Sequence, residues 1–283
     1  MRRIFWIALI LALPPALAPP CGADEWEKRY PVAARPDLKL RTGDGRVRID
    51  TWEEKSVKVT VTTRGWKVSP GQVRIEERVA GDQIELDIKI PSWTFVMNFA
   101  PRSVLIDVRL PRQGRLDVAS GDGSVTVRSF SGQTRVSTGD GSVLAEELGG
   151  AIDLTTGDGN ITARAIDGTL AVHTGDGRVR IDGRFDTMRL ESGDGSMAVT
   201  AESGSRIGEG WSLRTGDGPL VLRLPHDFKA DLDAHSGGGR ISLDFPVRVS
   251  GSIRQNAVRG GLNGGGPPLE LRTGDGSIRI LKL

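Results

Sequence analysis

The chain of 283 residues contains a single cysteine, Cys21, so no disulfide can form within it and its stability depends on packing. Aromatic residues make up only 5% of the composition, whereas 38 residues are glycine. No stretch has the periodicity of a long amphipathic helix, which argues against a helical bundle. With 37% hydrophobic residues, the composition indicates a β-protein whose core is built from Val, Leu and Ile.

The chain also lacks an excess of charge. Its formal charge is +2, and removing Arg2 and Arg3 from the 38 basic residues leaves 36, equal to the 36 acidic residues. A balanced chain gives no electrostatic signal for nucleic acid or for anionic lipid. No P-loop, dinucleotide fingerprint, His-Glu-x-x-His motif or Gly-x-Ser-x-Gly elbow occurs, so we assign no catalytic residue and no cofactor.

Residues 1–23 have the pattern of a secretory signal peptide. Arg2 and Arg3 precede an apolar run at residues 4–13, and Cys21-Gly22-Ala23 forms a small-residue cleavage site. The run is too short to span a membrane, so we expect no transmembrane segment in the mature chain. An alternative is a lipoprotein signal with Cys21 lipidated, although the preceding residues fit that signal badly. Either reading places the protein outside the cytoplasm, in the periplasm or at the cell surface.

A tripeptide, Gly-Asp-Gly, repeats through the chain. It occurs with constant spacing at 121–123, 139–141, 157–159, 175–177 and 193–195, and again at 43–45, 216–218 and 274–276. A fixed short period is the mark of a repeat architecture. Apolar residues occupy every second position on both sides of the tripeptide, as in Leu116, Val118, Val125 and Val127. Each repeat is therefore a strand, a turn, a second strand and a corner.

Two folds fit this unit: a parallel β-solenoid and an antiparallel meander with Asp-Gly hairpins. The constant spacing favours the solenoid, because a slip of one residue would turn every side chain of a stacked coil to the other face. We predict an all-β chain with a linker at 24–37, an irregular N-terminal β region at 38–115 and a solenoid at 116–283, with 38–283 continuous. The final strand, at residues 277–283, is expected to complete the last coil.

The repeated Thr/Ser-Gly-Asp-Gly-Ser pattern resembles the bacterial putative-adhesin domain family. The resemblance extends over residues 38–283 and includes Gly264-Gly265-Gly266, the stretch from Leu269 to Ile278, and Val47 to Trp52. It implies a repeat fold and an adhesin-like, non-enzymatic role in surface interaction or as an envelope scaffold. It identifies no ligand, and an envelope protein and a glycan both remain open as partners.

The N-terminal region is rich in aromatic residues and lacks the regular period of the repeats. Because an open solenoid end must be covered, we interpret these side chains as a cap. The alternative is an exposed, sticky loop at residues 93–99. The aromatic residues are Trp52, Trp66, Trp93, Phe95 and Phe99.

The aspartates of the tripeptides are expected to stack at the inter-strand spacing of about 4.8 Å, where neighbouring carboxylates repel by about 1 kcal/mol even in water. One reading is that each carboxylate accepts hydrogen bonds from its own turn, with the flanking glycines providing positive φ. The other is a row of Ca²⁺ ions, although one carboxylate per coil falls short of six to eight oxygen ligands. The weak calcium candidates are Asp122, Asp140, Asp158, Asp176 and Asp194.

Two further residue sets have ordinary structural readings. The Ser/Thr residue before each tripeptide is read as a ladder of structural hydroxyl groups, because residues repeated in every coil cannot form a unique catalytic site. Of the three histidines, His173 is interpreted as a surface residue, His226 follows Pro225 in a turn, and His235 precedes a degenerate repeat at Gly237-Gly238-Gly239. A carbohydrate-active enzyme remains an alternative on the analogy of other β-helices, and a structural spacer is a third. The histidines are His173, His226 and His235.

Overall fold

The computed structural model describes residues 23–33, 35–91, 102–249 and 254–283. Most of the expected signal peptide, including Cys21, lies outside these ranges. So do Trp93, Phe95 and Phe99 of the expected aromatic loop. Within the described ranges every regular element is a β-strand, and none is a helix that could span a membrane.

The strands follow the period of the repeats through the middle of the chain and depart from it at both ends. In chain order they are β1 (Ala23–Pro31), β2 (Asp37–Thr42), β3 (Arg46–Trp52), β4 (Ser56–Arg64), β5 (Arg74–Ala80), β6 (Gln83–Lys89), β7 (Ser103–Pro111), β8 (Gln113–Ser120), β9 (Val125–Arg128), β10 (Ser131–Thr138), β11 (Val143–Glu146), β12 (Gly149–Thr156), β13 (Ile161–Thr174), β14 (Val179–Ser192), β15 (Met197–Ala201), β16 (Trp211–Thr215), β17 (Leu220–Leu224), β18 (Ala230–Ser236), β19 (Ile241–Leu243), β20 (Val247–Val249), β21 (Ala257–Leu262), β22 (Pro268–Thr273) and β23 (Ile278–Lys282).

The repeats form a parallel β-solenoid, as the constant spacing predicts. Leu116, Thr134 and Ile152 lie side by side in β8, β10 and β12, and Val125 lies beside Val143 in β9 and β11. Both pairings are parallel with a shift of one whole coil, so the antiparallel meander is wrong. The alternating burial of each strand turns the apolar columns inward and the polar residues outward.

The coils form two walls joined by the Gly-Asp-Gly turns on one edge and by the corners on the other. Sheet 1 contains the strands that precede the turns, and sheet 2 contains those that follow them. Strands β13 and β14 run through both walls. The spatial order in sheet 1 is β5, β6, β2, β8, β10, β12, β13, β14, β16, β22, β18, β21, β20. The order in sheet 2 is β1, β4, β7, β3, β9, β11, β13, β14, β15, β17, β23, β19.

Neither terminal repeat coil lies at an end of the solenoid. The first coil, β2–β3, lies between β6–β7 and β8–β9, and the last coil, β22–β23, lies between β16–β17 and β18–β19. Residues 277–283 complete the last coil of the chain, as expected, but that coil is not the outermost one. Among the described strands the outer ones are β5 and β20 in sheet 1 and β1 and β19 in sheet 2, and all of these except β19 are antiparallel to their neighbours.

The expectation of a linker at 24–37 does not hold for its first part, because residues 23–31 form β1. This strand pairs with β4 along its whole length, from Ala23 with Arg64 to Pro31 with Ser56. Charged residues conceal the alternation in the sequence, where Tyr30 is buried and Trp26 packs partly against the core. Tyr30 also donates a hydrogen bond of 2.6 Å to Glu77 in β5, which ties the outer strands of the two walls together.

The core contains an aromatic cluster in the C-terminal half that sequence analysis missed. Trp211 makes an edge-to-face contact with Phe185, at 6.1 Å between ring centroids, and a tilted contact with Phe228 at 5.1 Å. All three side chains are buried. In the N-terminal region, by contrast, Trp66 is only partly buried against the core. Each of the two aromatic pairs made by Trp211 is expected to stabilise the fold by about 0.5–1.5 kcal/mol beyond the effect of its buried area.

The outward charges of sheet 2 alternate in sign from coil to coil. Arg128 lies 3.6 Å from Asp50 on one side and 2.9 Å from Glu146 on the other, and Glu146 lies 3.3 Å from Arg164. A hydrogen bond from Arg128 holds the pKa of Glu146 below its ordinary value. Each exposed pair is worth little by itself. Opposite charges on neighbouring strands nevertheless favour this register over a shifted one.

Candidate functional site

The turn edge of the solenoid carries a continuous row of exposed aspartates, one from each coil. Eight of them follow one another in space, and the next turn, at Gly237-Gly238-Gly239, has a glycine at the equivalent position. In spatial order the row is Asp44, Asp122, Asp140, Asp158, Asp176, Asp194, Asp217 and Asp275. The coil stacking thus brings together all five calcium candidates and three more carboxylates.

Four carboxylates of this row, those of Asp44, Asp122, Asp176 and Asp217, accept a hydrogen bond from the next coil, which differs from the expected bond within the same turn. Oδ1 of Asp44 accepts a hydrogen bond from the backbone N–H of Asp122 at 3.3 Å, and Oδ1 of Asp122 accepts one from Asp140 at 3.2 Å. The same bond joins Asp176 to Asp194. These bonds offset part of the repulsion between neighbouring carboxylates.

The glycines of the tripeptides are required for close approach rather than for positive φ. None of them has a positive φ, which corrects the sequence-based explanation. A Cβ at Gly177 would lie 2.7 Å from the carbonyl carbon of Gly159 in the preceding coil. The positive φ values occur on the opposite edge, at corner residues such as Gly132 and Gly150. Only glycine permits both the turn stacking and these corners.

The hydroxyl column beside the aspartates is structural, as its repetition suggests. Thr156 is buried, and its Oγ1 donates toward the carbonyl oxygens of Gly139 at 2.9 Å and Gly141 at 3.0 Å. Thr138 and Thr174 make the same pair of contacts one coil to either side. These hydroxyl groups satisfy turn carbonyls, and they are not arranged as nucleophiles.

Thr156→Val is expected to destabilise the fold by about 1–3 kcal/mol, because it removes the buried hydroxyl group that donates to the Gly141 carbonyl and accepts from the Gly159 N–H. Thr134→Val is the matched control. Thr134 is equally buried, but its Oγ1 has no hydrogen-bond partner within the described part of the chain, and its neighbours in the column are Leu116 and Ile152. The control should leave stability unchanged or raise it. Urea denaturation of both variants measures the difference, and equal losses would contradict this assignment.

Calcium binding by the aspartate row stays a prediction. Among the residues that the structure describes, no group of three or more His, Cys, Asp or Glu side chains is placed to hold a metal ion. Backbone N–H groups already neutralise part of the row. We therefore expect the thermal midpoint to be the same with a chelator as with added Ca²⁺. A midpoint that falls on chelation and recovers with Ca²⁺ would instead establish the calcium row.

His173 is exposed, as expected, and so are His226 and His235. His173 lies in sheet 1 with its Nδ1 3.8 Å from Glu191. Neither His226 nor His235 lines the groove described next.

A groove of about 720 Å³ lies at the N-terminal end of the aspartate row, and we call it the turn-edge groove. It opens on sheet 2, across the turn ends of β4, β7, β3, β9 and β11. Its lining is Asp44, Arg46, Thr62, Arg64, Arg102, Ser103, Val104, Leu105, Asp122, Gly123, Ser124, Asp140, Gly141 and Ser142. Its size falls in the range of small-ligand sites, but its lining is far more polar than usual.

Three arginines converge on this groove. Arg46 and Thr62 lie on opposite sides of Leu105, and Arg64 lies opposite Ser103. The guanidinium of Arg102 stacks on the ring of Trp66 at 4.6 Å, which fixes its position. Across the ranges that the structure describes, none of the three arginines lies within ion-pair distance of a carboxylate.

The repeat pattern identifies the aspartates of this groove but not its arginines. Arg46 occupies the position that is serine in the repeats at Ser124 and Ser142, so a departure from the repeat pattern was the available signal. Arg64 and Arg102 come from the region without the period, where no pattern relates them. Their convergence depends on the insertion of β2–β3 beside β7.

The geometry defines a repeat-built β-solenoid with a polar groove on its turn edge. A family model described as Toastrack DUF4097 matches residues 35–281, and the chain belongs to this family. The match agrees with the predicted resemblance to a putative-adhesin domain of unknown function.

Several solved structures resemble this chain over most of its length at low identity. A "putative lipid binding protein" from Parabacteroides distasonis is 13% identical with a TM-score of 0.49, over 91% of this chain and 97% of that one. A "putative adhesin" from Bacteroides fragilis is 14% identical with a TM-score of 0.37, over 92% and 97%. A "putative cell adhesion protein" from Clostridium sporogenes is 15% identical with a TM-score of 0.29, over 93% and 100%. No curated protein matches the chain.

Proposed function

We propose that this protein is a non-enzymatic, adhesin-like interaction module of the cell envelope that binds its partner outside the cytoplasm. The observation that carries the proposal is the turn-edge groove, where three arginines without acidic partners among the described residues face three exposed aspartates. On the same wall, Arg48, Arg128 and Arg164 are each paired with a carboxylate, and the exposed Arg180, Arg223 and Arg279 lie outside the groove, so the convergence of three arginines on one groove is what distinguishes this site. Charged groups that are held in place but unpaired are available to a ligand.

The solenoid supports this role by its rigidity. Every coil is bonded to both neighbours through the strands, the turn backbone and the hydroxyl column, so the groove is built on fixed elements. Binding to a preformed site loses little conformational entropy. A leader that directs export, as residues 1–23 predict, would place the groove in contact with envelope glycans and proteins.

A binding assay with envelope fractions tests the proposal. Purified residues 24–283 would be immobilised, and saturable binding of glycan and protein fractions would be measured separately. The variant Arg46→Ala/Arg64→Ala/Arg102→Ala should lose the binding. The control Arg180→Ala/Arg223→Ala/Arg279→Ala removes three exposed arginines of sheet 2 outside the groove and should retain it.

The outcome separates the three functional classes. Saturable binding that only the groove variant loses supports the interaction module. No binding to any fraction would favour the structural spacer. Shortened glycan products after incubation with the wild-type protein would favour a carbohydrate-active enzyme, and would contradict the proposal.

A further inference from the structure

We propose that the turn-edge groove binds an oligosaccharide that carries carboxylate groups, such as a chain of uronic acid units. The inference rests on the proposed function and adds the chemical class of the ligand. Its basis is the arrangement of two opposite kinds of charge in one groove: guanidinium groups from β3, β4 and the start of β7, and carboxylates from the turns of successive coils.

The guanidinium groups select an anion. Arginine presents a planar fork of donors that matches a carboxylate in two parallel hydrogen bonds. Arg46 and Arg64 extend from β3 and β4, the strands on either side of β7. Arg102 is the residue immediately before β7. Because Trp66 stacks on Arg102, that guanidinium loses little freedom when a ligand binds.

The carboxylates limit the charge of that anion. Asp44, Asp122 and Asp140 line the same groove, so a phosphate dianion or a densely sulfated chain would meet more repulsion than a chain with one carboxylate in each sugar unit. Each of these carboxylates can, however, accept hydrogen bonds from ligand hydroxyl groups. Asp44 and Asp122 are oriented by the backbone N–H bonds that their Oδ1 atoms accept. One carboxylate with several hydroxyl groups in each unit describes a uronic acid.

The remaining lining groups agree with a sugar. The hydroxyl side chains of Thr62, Ser103, Ser124 and Ser142 add short donors and acceptors between the charged groups. Beyond Asp140 the row continues with Asp158 and Asp176, and the next arginine at the turn position of Arg46 is Arg178, which lies outside the groove. The ligand is therefore expected to span the groove from Arg64 to Ser142, in the direction of the aspartate row, and to be short.

Isothermal titration with a galacturonic acid oligomer tests the inference. We expect saturable binding by the wild-type protein and at least tenfold weaker binding of the same oligomer with its carboxylates converted to methyl esters. Arg46→Ala/Arg64→Ala should weaken binding of the acid oligomer at least tenfold, because charge-assisted hydrogen bonds are lost. The control Arg180→Ala/Arg223→Ala should bind as the wild type does. Inorganic phosphate should compete poorly.

Arg102 needs a conservative variant, because its removal also exposes the ring of Trp66. Arg102→Lys keeps a positive charge but loses the bidentate fork, and it should weaken the acid oligomer while leaving the methyl ester unaffected. Circular dichroism and the melting midpoint confirm that each variant is folded.

The outcomes distinguish this inference from the proposed function. Equal affinity for the acid and ester oligomers would overturn the carboxylate inference and leave a neutral-glycan module. Binding of an envelope protein, but of no oligosaccharide, at the groove would overturn it in the same way. If neither oligosaccharide nor envelope fraction binds, both fail. Stronger binding of phosphate than of the acid oligomer would replace the glycan with a phosphate ligand.

Discussion

A chain that ends at Gly266 is expected not to fold, although it loses only the short segment 267–283. That segment forms β22 and β23, which lie between two other coils and not at an end. It contributes four fully buried side chains, each worth about 1.5–3 kcal/mol. These side chains also join the coils on either side, so that without the segment β16–β17 and β18–β19 both lose the neighbour that lies between them. The four are Leu269, Leu271, Ile278 and Ile280.

Deletion of the segment 143–160 is the matched control, since it removes a stretch of similar length. This deletion takes out one whole coil and joins Ser142 to Ile161, so that β9 meets β13 in the register that β11 had. The shortened chain should fold with a cooperative melting transition, because repeat stability depends on intact neighbour contacts. Circular dichroism and limited proteolysis compare the two. A folded, protease-resistant chain ending at Gly266 would contradict the inserted position of the last coil.

Gly177→Ala is expected to lower the free energy of unfolding by about 3 kcal/mol, at the upper end of the cost of overpacking. The added methyl would lie 2.7 Å from the carbonyl carbon of Gly159 and 2.8 Å from Oγ1 of Thr174, and both neighbours are fixed by the stack. The melting midpoint should fall by roughly 6–12 °C.

Gly71→Ala is the control for this substitution. No heavy atom lies within 4 Å of a Cβ at Gly71, and its φ is not positive. We expect a change within about 0.5 kcal/mol, as at an open surface position. Differential scanning calorimetry measures both variants. Equal midpoints for Gly177→Ala and the wild type would mean that the turns stack less closely than described.

The constant period of the repeats predicted the stacked parallel strands of the solenoid, because every coil has the same pattern of buried and exposed positions. Val118 and Val136 occupy equivalent positions, so one strand assignment determines all the others in the repeat. The exposure of the aspartates and the role of the threonine hydroxyl groups followed in the same way. What the period could not predict was the bond from Asp44 to the next coil, which depends on how closely two backbones approach.

The order of the coils at both ends was not predictable from the repeats. Leu269-Glu270-Leu271-Arg272 has the same pattern as any other coil, so nothing local indicates that it enters between β16 and β18. The ion pairs that fit β22 between its two neighbours join residues far apart in the sequence, so they are recognisable only in the folded structure. Glu270 lies 2.7 Å from Arg214 on one side, and Arg272 lies 3.0 Å from Asp233 on the other. Hydrogen bonds from Arg214 hold the pKa of Glu270 below its ordinary value.

The turn-edge groove was not predictable from the sequence either, because its lining residues come partly from the repeats and partly from the region without a period. Asp122 and Ser124 belong to the repeat, whereas Arg64 and Arg102 lie in the region without a period. Only the antiparallel pairing of β4 with β7, together with the insertion of β3 beside β7, places them on one surface.

The inserted last coil also determines how the molecule responds to mechanical load. If tension acts between the two ends of the chain, β1, whose one neighbour among the described strands is β4, can peel away by breaking one row of hydrogen bonds. Strand β23 has a neighbour on each side, β17 and β19, so force on Leu283 must break two rows together. Unfolding under tension should therefore begin at the N-terminal end, close to the turn-edge groove, while the C-terminal coils remain intact.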